Sequence, residues 1–218
     1  MFPQYGLGSH ATYISHPWAY VYPVPSGVTT RIAAAALSQG MTAVSVMTEA
    51  YAVQPGDTVL VHAVAGGLGL MLAQYALSRR ATVIGTTSTQ AKAEEAKACG
   101  VQWVILYKKE DTVQRVMEIT EGRGVDASFD GVGKDTSVCI LIRSTPQPAD
   151  LCFPRFEQNF KVIKRKGTFV SLGNASGMIP PFLPIKLSEK NIKFLRPTCA
   201  FPFPFIYPLI SPTHFCAV

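Results

Sequence analysis

The chain has 218 residues, and 20 lysines and arginines against 14 aspartates and glutamates leave a formal charge of +6. Apolar residues make up 48% and charged residues 16%, with 17 glycines and 16 prolines that follow no period, which excludes a disordered or collagen-like chain. One large globular domain, or one domain plus a fragment of another, fits this length.

Met1 is followed by Phe2, Pro3 and Gln4 with neither a basic start nor an apolar run, so no secretory signal is expected and the protein reads as cytoplasmic. Tyr13 to Tyr22 reads as a strand-like tail ending at Pro23-Val24-Pro25, and Thr30 to Met47 as a helix. A leading piece of about 25 residues cannot close a barrel or a sandwich, so it reads as the end of something missing.

From Gln54 onward, short β-branched runs alternate with amphipathic stretches, the pattern of βαβ units. Thr58 to Ala63 reads as a strand entered from Pro55-Gly56-Asp57 and followed by Gly66-Gly67-Leu68-Gly69. Leu68, Met71, Leu72, Tyr75 and Ala76 recur at helical intervals through Arg79. Thr82 to Gly85 is the next strand, Ser88 and Thr89 offer caps for a helix from Ala91 to Cys99, and Gly100 closes it. Trp103 to Leu106 is a third strand, Asp111 caps a helix ending near Thr120, and Val125 to Phe129 is a fourth strand. Right-handed crossovers make this a Rossmann-like, doubly wound parallel sheet covered on both faces.

A dinucleotide site needs a strand, a turn that the pyrophosphate can approach closely, and a helix whose first amides receive it. Ala63 to Gly69 stands at that junction: Gly66 and Gly67 permit close approach, and Gly69 lets the helix pack on the strand. A plain tight turn would read the same, but the strand and helix around it favour a cofactor site. An acid at the end of the second strand would accept from the 2′-hydroxyl of NADH, yet that strand runs into Thr86-Thr87-Ser88 without one. The first charge after it is Lys92, suited to a 2′-phosphate, so NADPH is expected, although Lys92 also reads as an ordinary surface lysine.

Glu94 and Glu95 read as solvated, and His62 as a satisfied core histidine rather than a base. Asp130 either meets a ligand or caps a local turn. Cys99, Cys139, Cys152, Cys199 and Cys216 form no C-x-x-C pair and have no histidine at ligand spacing, so free, mostly buried thiols and no metal site are expected. Basic clusters at Arg79-Arg80, Lys108-Lys109 and Lys164-Arg165-Lys166 read as solvated faces. Pro202, Pro204, Pro208 and Pro212 interrupt the apolar end, Cys199 to Val218, and exclude a membrane-spanning helix there.

Gln39-Gly40-Met41-Thr42-Ala43, Pro55 to Ala63, Ala65-Gly66-Gly67-Leu68-Gly69, Gly131 to Thr136 and Gly173-Asn174-Ala175-Ser176-Gly177 together resemble the NADPH:quinone oxidoreductases. These form the zeta-crystallin-like, zinc-free branch of the medium-chain dehydrogenase/reductases, and the resemblance covers Gly8 to Thr136 and Phe156 to Thr198. It implies an NADPH site in which Thr42, Leu172, Gly173 and Asn174 stand beside the nicotinamide. Gly66, Gly67 and Leu68 would hold the pyrophosphate, and Ser88, Lys92 and Tyr107 the adenosine 2′-phosphate. It further implies hydride transfer to a quinone or other small electron acceptor, in a cleft against an N-terminal GroES-like barrel, and a homodimer in the full-length parent. Related enzymes reduce enoyl thioesters or other activated alkenes, and some zeta-crystallin-like proteins bind AU-rich RNA. The +6 charge permits that last reading, but no RNA-recognition motif or aromatic platform is present.

The expected organisation is a barrel remnant over 1–25 and an NADPH-binding domain over 26–198, with an atypical insertion at 137–155 and an atypical proline-rich tail at 199–218. Removing Ser137 to Arg155 joins Lys134-Asp135-Thr136 to Phe156-Glu157-Gln158 as the start of the family's helix. Insertion and tail therefore read as translated introns or gene-model errors with a misplaced start; a genuine loop and a divergent tail are the alternative. With most of the barrel absent, no catalytic residue is assigned.

Overall fold

The computed structural model describes residues 12–15, 21, 23–133, 155–179 and 181–197, excepting the side chains of 155–157. Six strands form one sheet: β1 (Thr58–Val61), β2 (Thr82–Thr87), β3 (Trp103–Leu106), β4 (Val125–Asp130), β5 (Ile163–Ser171) and β6 (Lys193–Leu195). Their order is β3-β2-β1-β4-β5-β6, and every neighbouring pair is parallel. The connecting helices are α1 (Thr30–Ser45), α2 (Gly67–Ser78), α3 (Gln90–Ala98), α4 (Thr112–Ile119), α5 (Arg155–Val162) and the single turn α6 (Ile185–Ser188).

Alternation along each strand sends successive side chains to opposite faces. Val59 and Val61 of β1 join Val83, Phe129 and Val170 in a core packed under Met71, Leu72, Ala73 and Ala76 of α2 and Ala96 of α3. Leu60 of the same strand points the other way, with Ile84, Ile105 and Phe169, against Val116 of α4 and Phe160 and Val162 of α5. Both faces are therefore covered, as the alternation of runs and amphipathic stretches predicts. On the second face Phe160, Phe169, Phe194 and Phe182 form a closed ring of aromatic contacts with centroids 5.3 to 5.9 Å apart, carrying the core out beneath β6.

Local signals set the element ends. Thr29, Thr89 and Asp111 cap α1, α3 and α4 by accepting from Ile32 N, Lys92 N and Gln114 N, and Gly100 closes α3 at φ +93°. β1 stops two residues earlier than the apolar run predicts because Ala63 turns the chain at φ +50°. α1 ends at Ser45 and continues as a π-helical turn through Ala50, three residues beyond the expected end. The expected strand at Tyr13 to Tyr22 is absent at its described residues, 13–15 and 21; Tyr13 is 91% exposed and pairs with no strand among the described residues.

At the amino end of the sheet, Asp57 Oδ2 accepts from the Tyr51 hydroxyl (2.9 Å) and from Gln54 N (2.8 Å), and Asp126 Oδ2 accepts from Thr58 N (2.9 Å). Burial, reinforced by the bond to Asp57, raises the Tyr51 hydroxyl well above the usual phenol range. Arg79, Arg80, Lys108, Lys109 and the Lys164-Arg165-Lys166 run are all exposed, with Lys164 paired to Asp126. Among the described residues no helix is long and apolar enough to cross a membrane. Cys99 is half-buried; the other four cysteines lie outside the described residues, as do nearly all of the expected insertion and the whole tail.

Candidate functional site

The strand order reverses between β1 and β4, where chains leave the carboxyl ends of two adjacent strands in opposite directions and open a crevice. The turn from β1 into α2 lies at this point. His62 N donates to Phe129 O (3.0 Å), Val64 N to Thr86 O (3.0 Å) and Gly66 N to Ala63 O (2.9 Å), so the turn is tied to both neighbouring strands. Ala63 holds its left-handed conformation at a cost of about 1 kcal/mol.

Gly69 is required by contact. A methyl group there would sit 2.3 Å from Ala63 O and 2.8 Å from Val64 Cα, both backbone atoms that cannot give way. Gly66 caps α2 with no side-chain hydrogen bond, whereas α1, α3 and α4 each have a side-chain cap. The first amides of α2 thus remain donors at the positive end of the helix dipole, over a glycine turn. Gln39 of α1 lies alongside, its Nε2 3.0 Å from where a Cβ on Gly67 would stand. Thr42 is three residues further along α1, half-buried, with its hydroxyl donating to Ser38 O (2.8 Å). Leu68 is half-buried against the first core.

β2 and β3 end side by side, Thr87 paired with Leu106, so Ser88 and Tyr107 emerge next to each other, and Tyr107 N donates to Thr87 O (3.1 Å). Lys92 is exposed in the first turn of α3. The acids nearby are committed or turned away: Glu94 and Glu95 are exposed on α3, as expected. Glu110 accepts from Leu106 N (2.7 Å) and pairs with Arg115 Nε (3.1 Å). Beneath these ends is a cavity of about 120 Å³ walled by Leu60, Ala63, Thr86, Tyr107, Val113 and Val132, among others. His62 lies in its floor, where Nδ1 meets Thr86 Oγ1 (3.1 Å) and Nε2 meets Asn159 Oδ1 (2.8 Å); Asn159 Oδ1 also accepts from Ser128 Oγ (2.8 Å). The histidine is satisfied, as its apolar strand predicts, but it lines a cavity instead of being fully enclosed.

On the other side of the crevice the loops after β4 and β5 are laced together. Asp130 Oδ1 accepts from Val132 N (2.8 Å) and Gly133 N (3.3 Å), so this residue holds a local turn. Leu172 N donates to Asp130 O (2.6 Å), and Ser176 donates to Val132 O through both N (2.9 Å) and Oγ (2.8 Å). Gly173 presses on Gly131, and Gly133, at φ +82°, lies where a Cβ would come 2.6 Å from Gly177 O. Leu172, Gly173 and Asn174 thereby line the carboxyl edge of the β4-β5 half, and Arg196, which follows β6, reaches Ser171 Oγ (2.7 Å).

The fold therefore gathers Gly66, Gly67 and Leu68 at the crevice, with Ser88 and Tyr107 on one side and Leu172 to Asn174 on the other. Sequence reasoning missed Gln39, Asn159 and Arg196. Gln39 and Arg196 stand in runs that attract notice for their neighbours, and only the tertiary pairing shows what they touch. Among the described residues no group of three or more His, Cys, Asp or Glu is placed to hold a metal ion.

A doubly wound sheet with a glycine turn at its switch point defines a dinucleotide-binding domain of Rossmann type. A family model described as zinc-binding dehydrogenase matches residues 67–143. The chain is 40% identical over 193 residues to a probable quinone oxidoreductase of Schizosaccharomyces pombe, covering 88% of this chain and 52% of that protein. The structure of Escherichia coli quinone oxidoreductase complexed with NADPH superimposes with a TM-score of 0.71 at 31% identity, covering 83% of this chain and 50% of that one. The Pseudomonas syringae quinone oxidoreductase does so with a TM-score of 0.72 at 32% identity, covering 84% and 50%. Over 83–88% of its length the chain is thus similar to quinone oxidoreductases, and it spans about half the length of the relatives it matches.

Proposed function

We propose that the chain is the cofactor-binding part of an NADPH-dependent quinone reductase, with residues 26–198 forming the nucleotide domain. The observation that carries this reading is the amide end of α2, left without a side-chain cap over Gly66 and Gly67 at the switch point of the sheet. The likeness to a quinone oxidoreductase solved with NADPH supports it. Bound NADPH supplies a hydride, which a quinone takes up together with a proton. The chain's own part is binding and orientation. Gly66, Gly67 and Leu68 offer backbone donors to the pyrophosphate, and Ser88, Lys92 and Tyr107 face the 2′-phosphate. The cavity beneath Tyr107 accepts the adenine, while Thr42, Leu172, Gly173 and Asn174 border the nicotinamide. Excluding water around two stacked rings falls to the surface these loops present.

Titration of the 218-residue chain with NADPH and NADH, followed by cofactor fluorescence, tests this. NADPH is expected to bind at least about tenfold more tightly, because a cation and two hydroxyls face its extra phosphate. Lys92→Ala is expected to remove most of that preference and leave NADH binding unchanged. Equal affinity of the unmodified chain for both cofactors would refute the roles of Lys92 and Tyr107.

A further inference from the structure

Arg196 sits at the carboxyl end of the edge strand β6, directly beside the end of β5, since Val170 pairs with Leu195. Its Nη1 donates to Ser171 Oγ (2.7 Å), the hydroxyl of a residue only 1% exposed. With the Asn174 amide oriented so that both of its ends are satisfied, Arg196 Nη2 donates to the Asn174 oxygen (3.0 Å) and the Asn174 nitrogen donates to Gly173 O (2.9 Å). One planar guanidinium thus spans the two ends of the segment 171–174, and the carboxamide it holds turns back onto the middle of that segment. From the other side, a Cβ on Gly173 would come 2.9 Å from Gly131 O, so the segment is also pressed against the loop after β4.

Position gives this brace its meaning. A doubly wound sheet takes a dinucleotide as two halves, one over each side of the switch point. The glycine turn, Ser88 and Tyr107 account for the half over β1, β2 and β3. The other half must lie over β4, β5 and β6, where the backbone of 172–174 is the surface presented. We propose that Arg196 is a positioning residue for that second half. Its guanidinium bridges Ser171 and Asn174 and fixes the backbone of Leu172, Gly173 and Asn174 where the nicotinamide riboside docks. Lysine has one nitrogen on a flexible stem in place of the guanidinium's rigid planar pair, so it is not equivalent here.

This rests on the NADPH reading, and the test separates the two. Two probes are titrated against the full chain: NADPH, and 2′-phosphoadenosine 5′-diphosphate, which has the adenosine half and the phosphates but no nicotinamide riboside. Arg196→Met is expected to weaken NADPH about tenfold and to leave the truncated probe within about twofold. Arg196→Lys, which keeps the charge and most of the packing, is expected to recover less than half of that loss on a logarithmic scale. Adding Asn174→Ala to Arg196→Met is expected to weaken NADPH by less than Asn174→Ala does alone, since the two act through one contact. Equal weakening of both probes would show that Arg196 only supports the edge of the sheet, and unchanged NADPH binding in both Arg196 variants would also overturn the proposal. Failure of the unmodified chain to bind either probe overturns the NADPH reading, and this inference with it.

Discussion

On the β1-β2-β3 side, the carboxyl edge of the sheet is shaped by backbone. Ala63 turns the chain, Gly66 and Gly67 leave room, Gly69 lets α2 touch the turn, and main-chain bonds tie the turn to β2 and β4, with the His62 ring adding contacts to Thr86 and Asn159. On the β4-β5-β6 side the same edge is shaped by side chains: Asp130 within its own turn, and, between segments far apart in sequence, Ser176 onto Val132 and Arg196 onto Ser171 and Asn174. The difference teaches where each half is vulnerable. A turn made of amides admits no added atom at Gly69, but it needs no particular side chain. A loop pair laced by side chains tolerates changes of shape less uniformly and loses order one bond at a time.

Three substitutions sharpen or break this contrast. Gly69→Ala drives a methyl group into Ala63 O and Val64 Cα, and is expected to cost about 3 kcal/mol in denaturant unfolding and to abolish binding of NADPH and of 2′-phosphoadenosine 5′-diphosphate alike. Gly133→Ala meets Gly177 O and Asn174 Cα in a left-handed conformation, at about 2 kcal/mol. Here the probe lacking nicotinamide should bind as before while NADPH weakens. Loss of both probes to the same degree would show that the two halves are not separable. Ser176→Ala removes one of the two donors on Val132 O and should cost about 1 kcal/mol, seen as a slightly lower thermal midpoint with a small loss in NADPH affinity.

The same contrast decides what the sequence reveals. β3 is found where the run Trp103 to Leu106 places it, and α4 starts at the Asp111 cap, because strand and cap signals are local. The glycine turn is legible for the same reason: strand, turn and helix are contiguous, and each glycine has a mechanical role at its own position. β1 is misjudged by two residues because the left-handed Ala63 is an alanine, and nothing about an alanine announces a turn. The π-helical turn after Ser45 is equally invisible in an apolar helical pattern. The side-chain pairings around the site hide for another reason. Arg196 and Ser171 stand 25 positions apart and His62 and Asn159 97 apart, and no periodicity relates them until the sheet brings their ends together.

The π-helical turn over Val46–Ala50 has a consequence for how α1 addresses the glycine turn. Val46 and Met47 are buried to 0% and 1% exposure and anchor the far end of the helix in the first core, so the angular setting of everything upstream is read from that anchor. A helix advances about 100° per residue, and a π-helical turn takes up about one residue more than an α-helical turn for nearly the same rotation, so Val46–Ala50 absorbs a residue without re-aiming the face that carries Gln39 and Thr42. Deleting a residue within the π-helical turn would therefore leave Gln39 aimed at Gly67, whereas deleting one from the α-helical stretch between Thr42 and Val46 would swing it away by about 100°, with every side chain near the crevice still present. In a lineage of such chains, length between Thr42 and Val46 would therefore be constrained more tightly than residue identity: a substitution changes one contact, whereas an insertion or deletion there re-aims a whole helix.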